Sequence, residues 1–431
     1  MSAETTEVVL AREGEYRVEV PPQTEVGIKL KSGSAEIFGV ELAIDREYTF
    51  RDRKLAIFTW YGCTLEVRGA PEVAYTSEET PMDSYLNIHA QLQRRRELAK
   101  AKHAAGPRVL VCGPVDSGKS TLTQILVSYA LRLGEKPTLV ELDVGHGCLS
   151  VPGTLSASPL DMNSLSIEED FILTNPLAFF YGHAASSENV ELFRFQQQQL
   201  AKAVKRRLTN DEEVNASGCV INTCGWVDGT GFDLLVHAIK DFEVDVVLVI
   251  GQDRLYSRLQ SSLTGANVVK LSRSGGVVPL SSKLRSAARI SCIREYFYGA
   301  HSLSVAIPTL SPCINEFSFE DVSFFAIKDM KVSDVMLPVG QVETQSDRLR
   351  VVPVEKTADL GHSLAAVAHP RHGQDASSSS TDLSWMLGAP AAGFVFIKEV
   401  RVAEQKLVLL VPSPGPLPSR NLLVGSIKWM E

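Results

Sequence analysis

The sequence is short of positive charge. Lys and Arg number 43 against 51 Asp and Glu, a formal net charge of −8. That excludes a broad cationic field for non-specific nucleic-acid binding, so any RNA contact must come from a local groove. Long apolar runs are missing too. No stretch reaches the roughly 18 residues of a helical membrane span. The N-terminus, MSAETTEVVL, carries neither the basic segment nor the apolar stretch of a secretory signal. Cysteines are few and scattered. Cys63, Cys112, Cys148, Cys219, Cys224, Cys292 and Cys313 form no close metal-type pair. Several fall in apolar, strand-like runs, where cysteine acts as a small hydrophobe, which fits a reducing compartment.

What is present points to sizeable cores. Apolar residues make up 44% of 431, enough for two or three domains. Residues Gly113 to Thr121 read GPVDSGKST and fit G-x-x-x-x-G-K-[ST]. At average residue frequencies this pattern arises by chance in roughly one chain of this length in a hundred. Its flanks are also right. Arg108 to Cys112 reads as a buried strand, and Leu122 to Leu133 has helical spacing before Gly134. Gly113 and Gly118 let backbone N–H groups turn onto phosphate oxygens. Lys119 supplies a point charge for the β- and γ-phosphates, and Ser120 offers a hydroxyl to Mg²⁺. The helix N-terminus adds its positive dipole end.

Around this motif the chain alternates in character. Residues 1–82 read as a β domain, a small sandwich or barrel, from alternations such as Tyr16–Val20, Val26–Leu30, Leu55–Trp60 and Thr64–Val67. Residues 83–105 read as a linker helix, with Arg94, Arg95 and Arg96 on a solvated face. Residues 106–303 alternate strand and helix, which predicts α/β with a largely parallel sheet. The strands are expected at 108–112, 138–142, 218–222 and 244–250, and helices at 120–133, 188–208 and 231–240. Residues 304–431 return to β patterns, such as Ser318–Lys328, Phe394–Val402 and Lys406–Val411. His369 to Thr381 is polar and Ser-rich and reads as a disordered surface loop with no metal role.

Two further positions carry chemistry. Asp143 ends the second strand of the α/β part, beside the crevice where open sheets bind ligands. A carboxylate there can hold Mg²⁺ or accept a proton from an attacking hydroxyl; a strand-end cap is the plainer reading. Trp226, after Ile221–Gly225, emerges at the same edge. It either stacks on a nucleobase or packs between helices.

The ordered series GPVDSGKST, VELDVGHG with SVPGT, INTCGWVDG, FEVDVV, SGGVV and IREYFYG, preceded by AEIFGVEL, AIFTWYGC and TPMDSYLNIHA, resembles the polynucleotide 5′-hydroxyl kinase family of the pre-mRNA 3′-end cleavage and polyadenylation machinery. The resemblance runs from about residue 8 to the C-terminus and matches least specifically between 330 and 390. It implies an N-terminal β-sandwich-like domain that clamps adenine, a central P-loop kinase-like domain holding ATP and Mg²⁺, and a C-terminal mixed β/α domain. It also implies a nuclear protein whose partners are RNA and the cleavage-factor subunit that contacts the RNA polymerase II tail. Glu15 and Lys54 match positions near the adenine or ribose. Asp116, Ser117, Gly118, Lys119, Ser120 and Thr121 match the phosphate cradle. Ser120 and Asp143 match the Mg²⁺ side, and Asp143 also the group that deprotonates the RNA 5′-hydroxyl. Trp226 matches the clasp for the terminal base, with His146 beside it.

The chain departs from active relatives where transfer is concerned. Of two lid arginines, one is present as Arg285; the other position is Leu280, and Lys283 or Arg289 reaches it only by a register shift. His146 stands where active members carry glutamine. Gly182–Ser187, with Ala184, lacks the expected threonine and proline. The resemblance with these departures implies an ATP-bound scaffold with weak or no turnover. The alternative is an active RNA 5′-kinase using Lys119, Asp143 and Arg285, serving RNA processing or tRNA splicing. An unrelated NTPase switch is disfavoured, because no guanine-reading N-K-x-D element occurs.

Overall fold

The computed structural model describes residues 5–147, 149–173, 176–299, 310–330, 348–369 and 383–430. Cys148 and the Ser-rich stretch beyond His369 lie outside the described residues.

The N-terminal strands form two facing sheets. One has the order Thr5–Leu10, Cys63–Arg68, Val26–Gly33, Glu47–Phe50; the other Val40–Glu41, Glu36–Ile37, Arg53–Phe58, Glu15–Val20, Val73–Ser77. Alternation along the strands sends Ile28, Leu30 and Leu65 inward from one sheet and Val18 and Ile57 from the other, all at 1% exposure or less. The sandwich expected from those alternations is present. The helix Met82–Lys102 follows. Its arginines do not share one solvated face. Arg96 is buried and donates Nε to the Ser217 carbonyl at 3.0 Å, while Arg95 pairs with Asp245 at 3.0 Å. A charge run read in one dimension gives no sign that helical rotation turns its third member into a neighbouring element.

The central sheet has the order Leu177–Phe180, Thr154–Pro159, Thr138–Glu141, Cys219–Asn222, Arg108–Cys112, Val246–Ile250, Asn267–Leu271. The last five are parallel to one another. Thr154–Pro159 runs antiparallel to both its neighbours, so the edge strand Leu177–Phe180 again has the direction of the five. The loop after Glu141 carries the Asp143 turn and, among its described residues, no helix, and the chain folds back to pair antiparallel. Val109, Leu110 and Val111 are fully buried because helices cover both faces. Met82–Lys102 and Lys119–Arg132 pack on one side, Val190–Asn210 and Thr230–Asp241 on the other. Helices Asp253–Ser262 and Ser282–Tyr298 were not among those expected from the sequence.

The C-terminal part is β-rich. Its seven-stranded sheet runs Cys313–Ser318, Lys406–Val411, Ala391–Arg401, Ser363–Ala368, Asn421–Lys428, Ser323–Asp329, Leu349–Pro353. Short 3-10 turns lie at Ala358–Leu360, Ser384–Gly388 and Val402–Glu404. This sheet packs on the central domain through an aromatic cluster in which Phe297 stacks on Trp429, 5.6 Å between centroids. Strand Asn421–Lys428 comes so close that a side chain at Gly425 would meet the Gly182 carbonyl at 2.0 Å. On the opposite flank, Arg132 ties the central domain to the N-terminal sandwich through Glu36, Glu41 and the Gly39 carbonyl. Tyr129 donates its hydroxyl to Glu36.

Candidate functional site

The loop between Arg108–Cys112 and Lys119–Arg132 sits at the C-terminal edge of the sheet. The chain crosses from Arg108–Cys112 over Cys219–Asn222 to Thr138–Glu141 on one side, and later from Cys219–Asn222 over Arg108–Cys112 to Val246–Ile250 on the other. Such a reversal of strand order opens a crevice at this edge. The loop conformation is specified by its residues. Gly118 has φ 91° and Asp116 φ 53°, both left-handed. Thr223 Oγ1 donates to the Val111 carbonyl at 2.8 Å and pins the neighbouring strand end against the loop's strand.

The loop fits a polyphosphate. Lys119 is 7% exposed, and its Nζ donates to the Pro114 carbonyl of its own loop at 2.8 Å. Burial pulls the Lys119 pKa below the ordinary lysine range, and the charges of Asp143 and Glu141 work against the fall. The Ser117 hydroxyl is buried without a hydrogen-bond partner. A buried cation hydrogen-bonded to a carbonyl of its own loop, and a buried hydroxyl with no hydrogen-bond partner, are donors that phosphate oxygens would satisfy.

The sequence-chosen residues fall into three groups. Lys119, Ser120 and Asp143 converge. Ser120 Oγ accepts from Asn222 Nδ2 at 3.2 Å, and Asp143 Oδ1 accepts from the Gly145 N–H at 3.1 Å. The Gly182–Ser187 segment reaches the same turn, because a side chain at Gly145 would meet the Ala184 carbonyl at 3.1 Å. Thr121 continues the helix from Ser120.

Lid residues form the second group. Arg285, near the start of helix Ser282–Tyr298, donates Nη2 to Asp116 Oδ2 at 2.6 Å. Leu280 offers only its backbone N–H to the same oxygen, at 3.1 Å. Val277 covers Gly118, and a side chain at Gly276 would meet Arg17 Nε at 2.7 Å. Arg17 in turn donates to Glu15 at 2.7 Å. A contact chain thus runs from the phosphate loop through the lid to Glu15. Lys54 stands apart from Glu15, paired with Glu19 at 2.7 Å and about 13 Å further along the strand. Lys283 is exposed and Arg289 half-buried.

The third group lies at the rim. His146 is exposed, its N–H donating to the Asp143 carbonyl at 3.1 Å. Trp226 is half-buried and packs against the central core below the sheet edge. Burial pushes Cys112 and Cys219 up to about 12.

Sequence reasoning missed Glu141, Asn222 and Arg17. Glu141 is 1% exposed, and its carboxylate accepts from Asn222 Nδ2 at 3.0 and 2.9 Å and from the Asp143 N–H at 2.7 Å. The available signal was a charged residue inside an otherwise apolar strand, Leu139–Leu142.

Three family models match this chain: an N-terminal β-sandwich domain of polyadenylation factor over residues 9–99, the mRNA cleavage and polyadenylation factor CLP1 P-loop over 113–299, and pre-mRNA cleavage complex II protein Clp1 over 310–431. It is 42% identical to an Arabidopsis thaliana "Protein CLP1 homolog", covering 100% of this chain and 95% of that protein. It is 39% identical to the Homo sapiens "Polyribonucleotide 5′-hydroxyl-kinase Clp1", covering 99% and 97%. Two solved structures superpose over 100% of both chains. One is of a wild-type Clp1p–Pcf11p complex, with TM-score 0.80 and 27% identity. The other describes an extended Pcf11p–Clp1p interface and ATP loss in a Gly135Arg mutant, with TM-score 0.82 and 26% identity.

Proposed function

Because the chain belongs to the CLP1 family of mRNA cleavage and polyadenylation factors, we propose that it is the ATP-holding scaffold of a nuclear pre-mRNA 3′-end processing complex, with weak or no turnover. One observation carries this reading. The phosphate loop is intact, but Arg285 is engaged by Asp116, and the other lid position, Leu280, has no charge to offer. Lid arginines can contribute on the order of 10³ or more in phosphoryl transfer, so this arrangement favours retention over transfer.

Bound ATP would act as a structural ligand. Lys119 and the loop N–H groups would face the phosphates, and the lid would connect them to Arg17 and Glu15 of the sandwich. Ser120 and Asp143 would hold Mg²⁺, which when bound neutralises charge on the β- and γ-phosphates. At 1,000 times its Kd, a ligand of the folded state adds about 4 kcal/mol to stability. The partner this reading favours is a Pcf11-like cleavage-factor subunit, as in the superposed complexes.

A second reading, an RNA 5′-hydroxyl kinase, is supported by Asp143. Its carboxylate lies on the Gly145 turn that the Gly182–Ser187 segment also reaches, and would there take a proton from an incoming 5′-hydroxyl. Trp226 and His146 would then meet the terminal base, and Arg285 would leave Asp116 to meet the transferring group.

Mass spectrometry of the nucleotide carried by purified protein, followed by a kinase assay on the same sample with 5′-OH RNA, separates the two. Intact ATP with no label transfer supports the scaffold. Steady transfer of the γ-phosphate to RNA refutes it in favour of the kinase.

A further inference from the structure

Glu141 is a buried carboxylate linked to both groups on the candidate cation side of the nucleotide site, to Asp143 directly and to Ser120 through Asn222. Through one oxygen it accepts the Asp143 backbone N–H, at 2.7 Å. Through both it accepts Asn222 Nδ2, which also donates to Ser120 Oγ at 3.2 Å. Asn222 is itself 1% exposed, and its Oδ1 is buried with no hydrogen-bond partner.

The amide orientation follows from charge. Turned round, the Asn222 carbonyl would face the Glu141 carboxylate, acceptor against acceptor. The carboxylate therefore keeps an N–H toward Ser120. It also bridges two strands that enter the site from different parts of the sequence, and the adjoining ladder continues in register, with the Leu142 N–H donating to the Asn222 carbonyl at 3.0 Å. The orphaned Asn222 Oδ1 leaves an acceptor of the kind that a metal-bound water would satisfy.

We infer that Glu141 is a positioning residue for the divalent-cation end of the site, setting Ser120 through Asn222 and Asp143 through its backbone. This rests on the reading of the loop as a Mg²⁺-ATP site. Groups that orient metal ligands change metal affinity by about 10–100-fold when removed. The effect should therefore appear in the Mg²⁺-dependent part of nucleotide binding and not in the metal-free part.

The test is the Kd for ATP, with EDTA and with Mg²⁺, on protein freed of nucleotide. Wild type, Glu141→Gln, Glu141→Ala and Asn222→Ala are compared, each checked for folding by near-UV circular dichroism. In Glu141→Ala and Asn222→Ala the tightening by Mg²⁺ should fall by about tenfold or more, while the metal-free Kd stays within about threefold. Glu141→Gln keeps an acceptor for the Asp143 N–H but loses the charge that orients Asn222, so it should fall between. If Glu141→Ala does not fold, Asn222→Ala carries the test. An unchanged Mg²⁺ ratio in the folded variants overturns the inference, as does an equal loss with and without metal. Wild-type protein that binds no ATP overturns the nucleotide-site reading as well.

Discussion

His89 gives the linker helix a pH dependence that can be worked out from its surroundings. It lies on the inner side of Met82–Lys102, 7% exposed, with its ring edge-on to Tyr129 at 5.2 Å. Its Nδ1 is buried without a hydrogen-bond partner. Burial, then the charges of Arg96 and Arg132, lower its pKa from 6.5 to about 4. With the folded pKa below the unfolded one, the unfolded chain binds the proton more readily between those values. The stability associated with neutral His89 is therefore complete above the unfolded pKa and is lost as pH falls toward 4. At about 1.4 kcal/mol per pKa unit, the limit is about 3 kcal/mol, and about 2 kcal/mol of it is gone by pH 5. Denaturant unfolding of wild type and His89→Gln in matched buffers measures this, because the difference between the two cancels the surface carboxylates. From pH 7 to pH 5 the difference should move by about 2 kcal/mol in favour of the variant. A difference constant to within about 0.5 kcal/mol would show that His89 titrates freely in the folded protein and would refute the argument.

Leu280→Arg restores a charge at the apolar lid position. It should raise γ-phosphate transfer to 5′-OH RNA by about tenfold or more over wild type if the missing lid arginine limits turnover, as read by label incorporation. Arg132→Ala leaves the buried Glu36 carboxylate, already raised by burial, with only Tyr129 beside it. Thermal unfolding should show a loss of about 2 kcal/mol or more, and limited proteolysis should cut between the sandwich and the central domain. Gly425→Ala would drive a methyl group into the Gly182 carbonyl. A cost of about 2 kcal/mol is expected, with earlier melting of the C-terminal sheet.

The parts of this protein legible along the chain are those whose physics is local. Glycine and lysine spacing specified the phosphate loop, because backbone torsions and a nearby cation suffice for phosphate binding. Apolar runs identified the strands Arg108–Cys112, Cys219–Asn222 and Val246–Ile250, which are buried on both faces. Alternation identified the N-terminal sandwich. Thr154–Pro159 escaped because its serines interrupt the apolar pattern, and Leu177–Phe180, though apolar throughout, because it is only four residues long. The helix Ser282–Tyr298 escaped because its charged first half hides the anchor formed by Ile293 and Phe297.

The candidate site divides in the same way. Lys119, Ser120 and Asp143 could be chosen from strand ends and motif spacing alone. The placement of Arg285 on Asp116 depends on residues 169 positions apart meeting, and no spacing rule encodes that. The same holds for the Glu141–Asn222–Ser120 network and for the path from Gly276 through Arg17 to Glu15. Sequence determined which groups are available for phosphate and cation chemistry, since side-chain type and backbone freedom are local properties. Tertiary structure decided which of them are spent on one another, because hydrogen bonds between distant segments form only after the sheet has set their order.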